Sequence, residues 1–359
     1  MKRIVVLCLL MTLGACAPMM VQQAARSDLT FQGPRLESDA VVSFDGARLG
    51  LSTWQATGEP WAVIIGVHGM NDYANAFHLA APWWASQGVT TIAYDQRGFG
   101  RSPGRGIWGG EDLMVEDLRT VAALVRAKYP KAIIAVAGES MGGAVAIEAF
   151  TSDRPPTADR LVLLSPAVWG WSSQPLPNKT ALWFAAHVTA SKVYEPPHWL
   201  TSRVSPTDNR EELRAMGRDP LMLWGARSDT LYGLVRLMQH AWDSADKLAA
   251  PTIYFYGAHD QIIPKRAAFT AVKRLKPGVR TAYYPNGWHL MTRDLQGPEA
   301  WADILSFVRG PAAALPSGVG AIPKSTTPGG GVPKSQFPQD GADISSRSRS
   351  LVASPVSVP

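Results

Sequence analysis

The chain has 359 residues, 46% of them hydrophobic, and a formal charge of +6. That is enough apolar material for one sizeable core with an insertion, and too modest a charge to mark a polyanion binder. No Lys/Arg block and no basic–aromatic interleaving occurs, so nucleic acid is excluded as an expected partner. The two cysteines, Cys8 and Cys16, both lie near the N-terminus, which excludes a disulfide inside the body of the chain.

Lys2 and Arg3 precede an apolar run from Ile4 to Leu13, which is too short to span a bilayer. Leu13-Gly14-Ala15-Cys16 follows and resembles the lipobox of bacterial lipoproteins. The resemblance implies that residues 1–15 are a signal peptide and that Cys16 becomes the acylated first residue of an exported, periplasm-facing lipoprotein. The alternative is an ordinary secretory signal with Cys16 incidental. Each buried acyl methylene adds about 0.8 kcal/mol, so several chains on one cysteine hold firmly to a membrane. Ala17 is not the Asp-type signal that retains lipoproteins at the inner membrane of enteric bacteria, so the outer membrane is the expected location. Residues 16–35 read as a lipidated tether ahead of the domain.

Asp45-Gly46 between Val41–Phe44 and Leu49–Trp54 is a hairpin signal. Short apolar runs then recur at Val63–Val67, Val89–Tyr94, Ile133–Ala137, Leu161–Leu164, Ile253–Tyr256 and Ala282–Tyr284. Runs apolar on both faces predict a mostly parallel sheet covered on both sides. Between them, Glu111 to Lys128 predicts an amphipathic helix with acids early and Lys128 late, and Trp301, Ile304, Leu305 and Val308 form the stripe of a last helix. Strands alternating with helices give a doubly wound α/β fold for residues 36–310. The alternation breaks at about 169–229, a stretch with Trp169, Trp171, Trp183, Trp199 and Trp224 and several prolines. This predicts an inserted helical cap over the strand ends, its tryptophans either lining an apolar pocket or packing the cap's own core. Residues 311–359, rich in Pro, Gly, Ser and Ala, read as a disordered tail.

The chemistry sits at three strand ends. Gly138-Glu139-Ser140-Met141-Gly142 matches G-x-S-x-G between an apolar strand and a small-residue helix, the context of a nucleophile elbow with Ser140 at its tip. A serine needs a base, and the base an orienting acid, in the chain order Ser, Asp, His for this fold. Asp260 follows the strand Ile253–Tyr256, and His289 follows Ala282–Tyr284. His259 and His68 also sit at strand ends and compete with His289. Asp229 and Asp243 compete with Asp260 only if the strand assignment fails. His78, His187, His198 and His240 lack that context. Two backbone amides should stabilise an oxyanion: Met141, at the helix start, and Met70, in the turn His68-Gly69-Met70. The glycines and Arg97 of the Asp95–Ser102 loop are expected to shape a turn rather than to touch substrate.

These pieces resemble the α/β-hydrolases of the monoacylglycerol lipase and lysophospholipase type, grouped with the serine aminopeptidases. The likeness rests on His68-Gly69-Met70, Asp95 to Ser102, Gly138 to Gly143, Gly257 to Pro264 and Gly287-Trp288-His289, with Thr207-Asp208-Asn209 and Arg218-Asp219-Pro220-Leu221 in the cap. It covers roughly Leu36 to Arg309. It implies the α/β-hydrolase fold and a serine hydrolase acting on carboxylic esters, with a lipid-like ester as substrate and no metal or organic cofactor. The alternatives are an amidase or peptidase on the same fold, and a non-catalytic binding lipoprotein.

Overall fold

The computed structural model describes residues 18–26, 31–196, 199, 203–248 and 251–323. The lipobox with Cys16, and residues 324–359 of the expected tail, lie outside the described residues. Three short strands open the domain: β1 (Arg35–Leu36), β2 (Ala40–Val42) and β3 (Arg48–Trp54), paired antiparallel. The expected turn joins β2 to β3, with Gly46 at φ 85° and Ala47 N–H donating to Asp45 Oδ1 at 3.1 Å. β4 (Ala62–Val67), β5 (Val89–Tyr94), β6 (Ile133–Glu139) and β7 (Arg160–Leu164) follow, separated by α1 (Ala80–Ser86), α2 (Glu111–Lys128) and α3 (Met141–Thr151).

Between β7 and β10 (Thr252–Gly257) stand α4 (Leu176–Val188), β8 (Val193–Tyr194), α5 (Arg210–Arg218), β9 (Ala226–Arg227) and α6 (Ser228–Ser244). α7 (Lys265–Arg274), β11 (Arg280–Tyr284) and α8 (Gly297–Arg309) complete the domain. The sheet order is β1-β2-β3-β5-β4-β6-β7-β10-β11, and the strands from β5 to β11 in that order run parallel. β8 and β9 pair antiparallel, apart from the main sheet. Sequence reading finds no strand in this region, because two residues per strand leave no periodicity to detect.

Strand alternation divides the core. Val63, Ile65 and Val67 of β4 face one layer, with buried residues of α2, α3, α6 and α7. Ala62 and Ile64 face the other, with α1 and α8. In α2, Met114, Leu118, Val121 and Val125 are buried while Leu113 and Leu124 are half-buried, with Glu111 and Asp112 in the first turn and Arg126 and Lys128 in the last. Gly66 is needed for packing, since a Cβ there would lie 2.6 Å from the Phe77 ring. α6 begins where the expected insertion ends and shares the core layer of α3.

Residues 18–26 and 311–323 are more ordered than their composition suggests. Residues 311–323 run beside the edge strand β11 instead of leaving the domain. Arg280 Nη1 donates to Pro311 O at 2.6 Å, Tyr283 N to Gly320 O at 2.8 Å, and Ile322 is buried in the core. Covering an exposed edge satisfies backbone groups that would otherwise face water, a gain that apolar patterning does not register. Residues 18–26, expected to be tether, also lie against the domain. Gln22 N donates to Trp108 O at 2.9 Å, and the Gln22 amide reaches the carbonyls of Pro103 and Ile107 at 3.1 and 3.0 Å.

Candidate active site

The turn from β6 into α3 holds Ser140 at φ 53°, ψ −115°, a left-handed backbone that a non-glycine residue adopts only under strain of about 1–3 kcal/mol. Three backbone bonds enforce it: Ser140 N donates to Leu164 O at 2.9 Å, and Ser140 O accepts from Ala144 N at 3.2 Å and Ala167 N at 2.8 Å. The flanking glycines let α3 close on the sheet. A Cβ on Gly142 would lie 2.1 Å from Val67 O, and one on Gly138 would lie 2.7 Å from Gly142 O. The elbow read from the sequence is therefore present, and its glycines are required by packing.

Asp260 and His289 meet. His289 Nδ1 lies 2.9 Å from Asp260 Oδ2, and Asp260 Oδ1 accepts from Ile262 N and Ile263 N at 2.8 and 2.9 Å. The loops that carry them are zipped together, with Ala258 N donating to Tyr284 O and His259 N to Gly287 O, each at 2.9 Å. Burial opposes the charge of Asp260, but His289 and the two amides outweigh it and hold the carboxyl below its usual range. Burial likewise disfavours the His289 cation, but Asp260 outweighs it and raises the imidazole above its usual value. Nδ1 is engaged by the carboxylate, which leaves Nε2 as the nitrogen available to exchange a proton.

The competing histidines have other work. His68 Nδ1 donates to Gly69 O at 2.7 Å and its Nε2 accepts from Gln96 N at 2.8 Å, a neutral ring pinning two loops, and burial lowers its pKa. His259 stacks on Trp288, with ring centroids 5.4 Å apart. Asp229 pairs with Arg227 at 2.6 Å, and Asp243 accepts from the Gln239 amide at 2.9 Å. Arg97 takes the expected structural part, buried between Asp45 and Asp117 at 2.8 and 2.7 Å.

Met141 is the first residue of α3, where a backbone N–H has no partner within the helix. Met70 lies in the turn after β4, closed by Asp72 N donating to Gly69 O at 3.4 Å, with Asn71 at φ 66°. This turn presses on the elbow: a Cβ on Gly69 would sit 3.2 Å from Ser140 Cβ. The cap holds the same turn, through Leu223 N donating to Asn71 O at 2.9 Å.

Sequence reading misses the charge cluster under these loops. Arg293, fully buried four residues after His289, lies 2.7 Å from both Asp72 and Glu139 and 3.8 Å from Glu212 of α5. One guanidinium thus joins the turn after β4, the residue before Ser140, the cap and the loop of His289. Burial raises the Glu139 carboxyl by more than Arg293 lowers it. The neighbouring Asp294, accepting from Thr207 Oγ1 and Trp288 N at 2.7 Å each, is pushed up to about 7 by burial. Among the described residues, no group of three His, Cys, Asp or Glu side chains is placed to hold a metal ion.

Residues 58–296 match the family model described as Serine aminopeptidase, S33. The chain belongs to this family. Monoacylglycerol lipase of Mycolicibacterium smegmatis is 25% identical over 279 residues, covering 73% of this chain and 93% of that protein. Monoglyceride lipase of Mus musculus is 24% identical over 275 residues, covering 75% and 88%. The structure of a soluble variant of monoglyceride lipase from Saccharomyces cerevisiae in complex with a substrate analogue has the same fold, with a TM-score of 0.64 at 16% identity over 80% of this chain and 99% of that one. A carboxyl esterase from Bacillus coagulans also shares the fold, with a TM-score of 0.61 at 20% identity, over 80% and 99%. The S33 member described here is thus an α/β-hydrolase-fold hydrolytic enzyme, as the sequence motifs predict.

Proposed function

We propose that the chain is a serine hydrolase of carboxylic esters, and that its substrates are lipid-like esters such as monoacylglycerols or lysophospholipids. The observation that carries this reading is the 2.9 Å contact of Asp260 with His289, in the same set of strand-end loops as a strained Ser140 elbow. In this mechanism His289 Nε2 takes the Ser140 proton as Oγ attacks the ester carbonyl. Asp260 fixes the imidazole tautomer and stabilises the cation that forms. The Met70 and Met141 amides receive the oxyanion. His289 then protonates the leaving alcohol, and water activated by the same nitrogen releases the acid from the acyl-enzyme. The relatives named monoacylglycerol and monoglyceride lipase favour a lipid ester. The lipobox-like leader favours a membrane setting, with the mature chain acylated at Cys16 and facing the periplasm.

The family description raises an aminopeptidase reading. Recognising a free α-amino group calls for an unpaired carboxylate beside the elbow. Asp72 and Glu139, the buried carboxylates there, both pair with Arg293, which favours the ester. Ser140→Ala should abolish hydrolysis of short p-nitrophenyl esters while leaving the thermal transition in place. Undiminished turnover by that variant would sink the assignment. A panel of aminoacyl amides against monoacylglycerols separates the two substrate classes.

A further inference from the structure

The loops of Asp260 and His289 share a neighbour that the proposed mechanism does not use. Residues 205–209 of the cap, Ser-Pro-Thr-Asp-Asn, lie against both. Ser205 N donates to Oε1 of Gln261, the residue after Asp260, at 2.9 Å. The other four residues meet the loop of His289. Pro206 O accepts from Leu290 N at 2.9 Å, and Thr207 Oγ1 donates to Asp294 Oδ1 at 2.7 Å. Asp208 Oδ1 accepts from Leu295 N at 2.9 Å, and Asn209 Nδ2 donates to Arg293 O at 3.1 Å. Asn209 also leads into the cap, because its Oδ1 accepts from Glu212 N at 3.2 Å and so caps α5.

This segment holds the backbone on both sides of His289. The amide after it, Leu290 N, goes directly to Pro206 O. The amide before it, Trp288 N, donates to Asp294 Oδ2 at 2.7 Å, while the other oxygen of Asp294 takes the Thr207 hydroxyl. That hydroxyl is itself fixed, accepting from Asn209 N at 3.2 Å. Thr207 is inaccessible and Asp294 is 4% exposed, so water competes little for these bonds. The Asp260 contact orients the imidazole ring, but where the ring stands relative to Ser140 depends on the backbone that carries it. A misplacement of about 1 Å can cost about 100-fold in rate.

We propose that Thr207 and Asp294 form a clasp that positions His289 for proton exchange with Ser140, which makes the base of the cap part of the histidine's support. Both are positioning residues: Asp294 acts through the Trp288 amide, and Thr207 acts through Asp294. The proposal rests on the reading of His289 as the general base. A bond that only ties the cap down would lose stability when removed, without loss of turnover.

Substitutions in the purified mature chain separate the two, with the thermal transition of each variant recorded. Thr207→Val keeps the shape and removes the donor, and Thr207→Ser keeps the donor. On a short p-nitrophenyl ester Thr207→Val should lower kcat by about 10- to 100-fold at unchanged KM, and Thr207→Ser should recover most of the loss. Asp294→Asn leaves one acceptor oxygen for two donors and should lower kcat similarly. The two changes combined should cost no more than the worse of them alone, because they break the same clasp. Ser43→Ala is the control. It removes another buried hydroxyl–carboxylate bond, from Ser43 Oγ to Asp117 Oδ1 of α2 at 2.5 Å, and should lower the thermal transition with kcat unchanged. The low-field proton resonance of the His289–Asp260 pair, assigned by its loss in His289→Ala, should move or broaden in Thr207→Val and not in Ser43→Ala. Undiminished kcat in Thr207→Val, an equal loss in Thr207→Ser, or an unmoved resonance overturns the proposal. If Thr207→Val does not fold, Asp294→Asn carries the same comparison of kcat and resonance. Failure of the underlying reading shows separately, as undiminished turnover by His289→Ala.

Discussion

Ser140 and His289 sit among strand-end loops that are buried and cross-braced by hydrogen bonds and by Arg293, whereas α4 of the cap leaves Trp183 and Phe184 in solvent. The two regions face opposite demands. A reacting serine and imidazole need fixed geometry, so the floor holds each group by several partners from distant parts of the chain. A cap that meets an apolar substrate or surface needs apolar side chains that are not already satisfied by the protein. On the proposed reading the chemistry belongs to the floor, and the choice of acyl group to the cap.

The largest effects should come from the floor. His289→Ala should lower kcat on a short p-nitrophenyl ester by about 10,000-fold or more, and Asp260→Asn by about 10,000-fold, with unfolding transitions close to the parent's. Losses of only a few-fold would remove the distinction between the regions. Arg293→Met comes next. It strands Asp72 and Glu139 in a buried site, and denaturant unfolding should show a loss of about 3–5 kcal/mol, part of which Glu139→Gln restores in the double variant. The charges facing His289 are Asp260, Glu139 and Arg293, and Arg293 alone opposes protonation. Arg293→Met should therefore move the acid limb of kcat/KM to higher pH and Glu139→Gln to lower pH. Shifts of the same sign would show that the pair acts only through the fold.

Packing extends the contrast. Phe77, fully buried beside Gly66, should cost about 3–5 kcal/mol when cut to Ala. Phe184→Ala in the cap should change stability by no more than about 0.5 kcal/mol. The smallest effect is a pH dependence. Folded His289 holds its proton more tightly than the unfolded chain does. Its contribution to stability is complete below the unfolded value of about 6.5 and is lost as pH rises through the raised folded value. Melting temperatures across that window should fall for the parent and fall less for Asp260→Asn.

The floor was also the more legible region. The parallel strands announce themselves because each is a short run apolar on both faces, and Asp260 and His289 follow from their places after β10 and β11. The elbow is a local motif in sequence, although the contacts that require its glycines reach as far as Val67 and Pro166. Arg293 was not legible, since its partners at 72, 139 and 212 come from separate elements that only the folded topology brings together. Residues 18–26 and 311–323 escaped notice for another reason. They are held by scattered hydrogen bonds between backbone and distant side chains, with one backbone–backbone bond each, to the Trp108 carbonyl and from Tyr283 to Gly320, and neither leaves a hydrophobic period. The cap's tryptophans were visible, but nothing in their spacing separates one packed against the core such as Trp169 from an exposed one such as Trp183.

The central claim is that Ser140 is the nucleophile, and covalent trapping tests it most directly. Treatment of the purified mature chain with a fluorophosphonate, followed by peptide mass mapping, should give one adduct per chain on the peptide containing Ser140, forming far more slowly in His289→Ala. Ester hydrolysis that persists with no adduct, or with the adduct on another serine, would contradict the account.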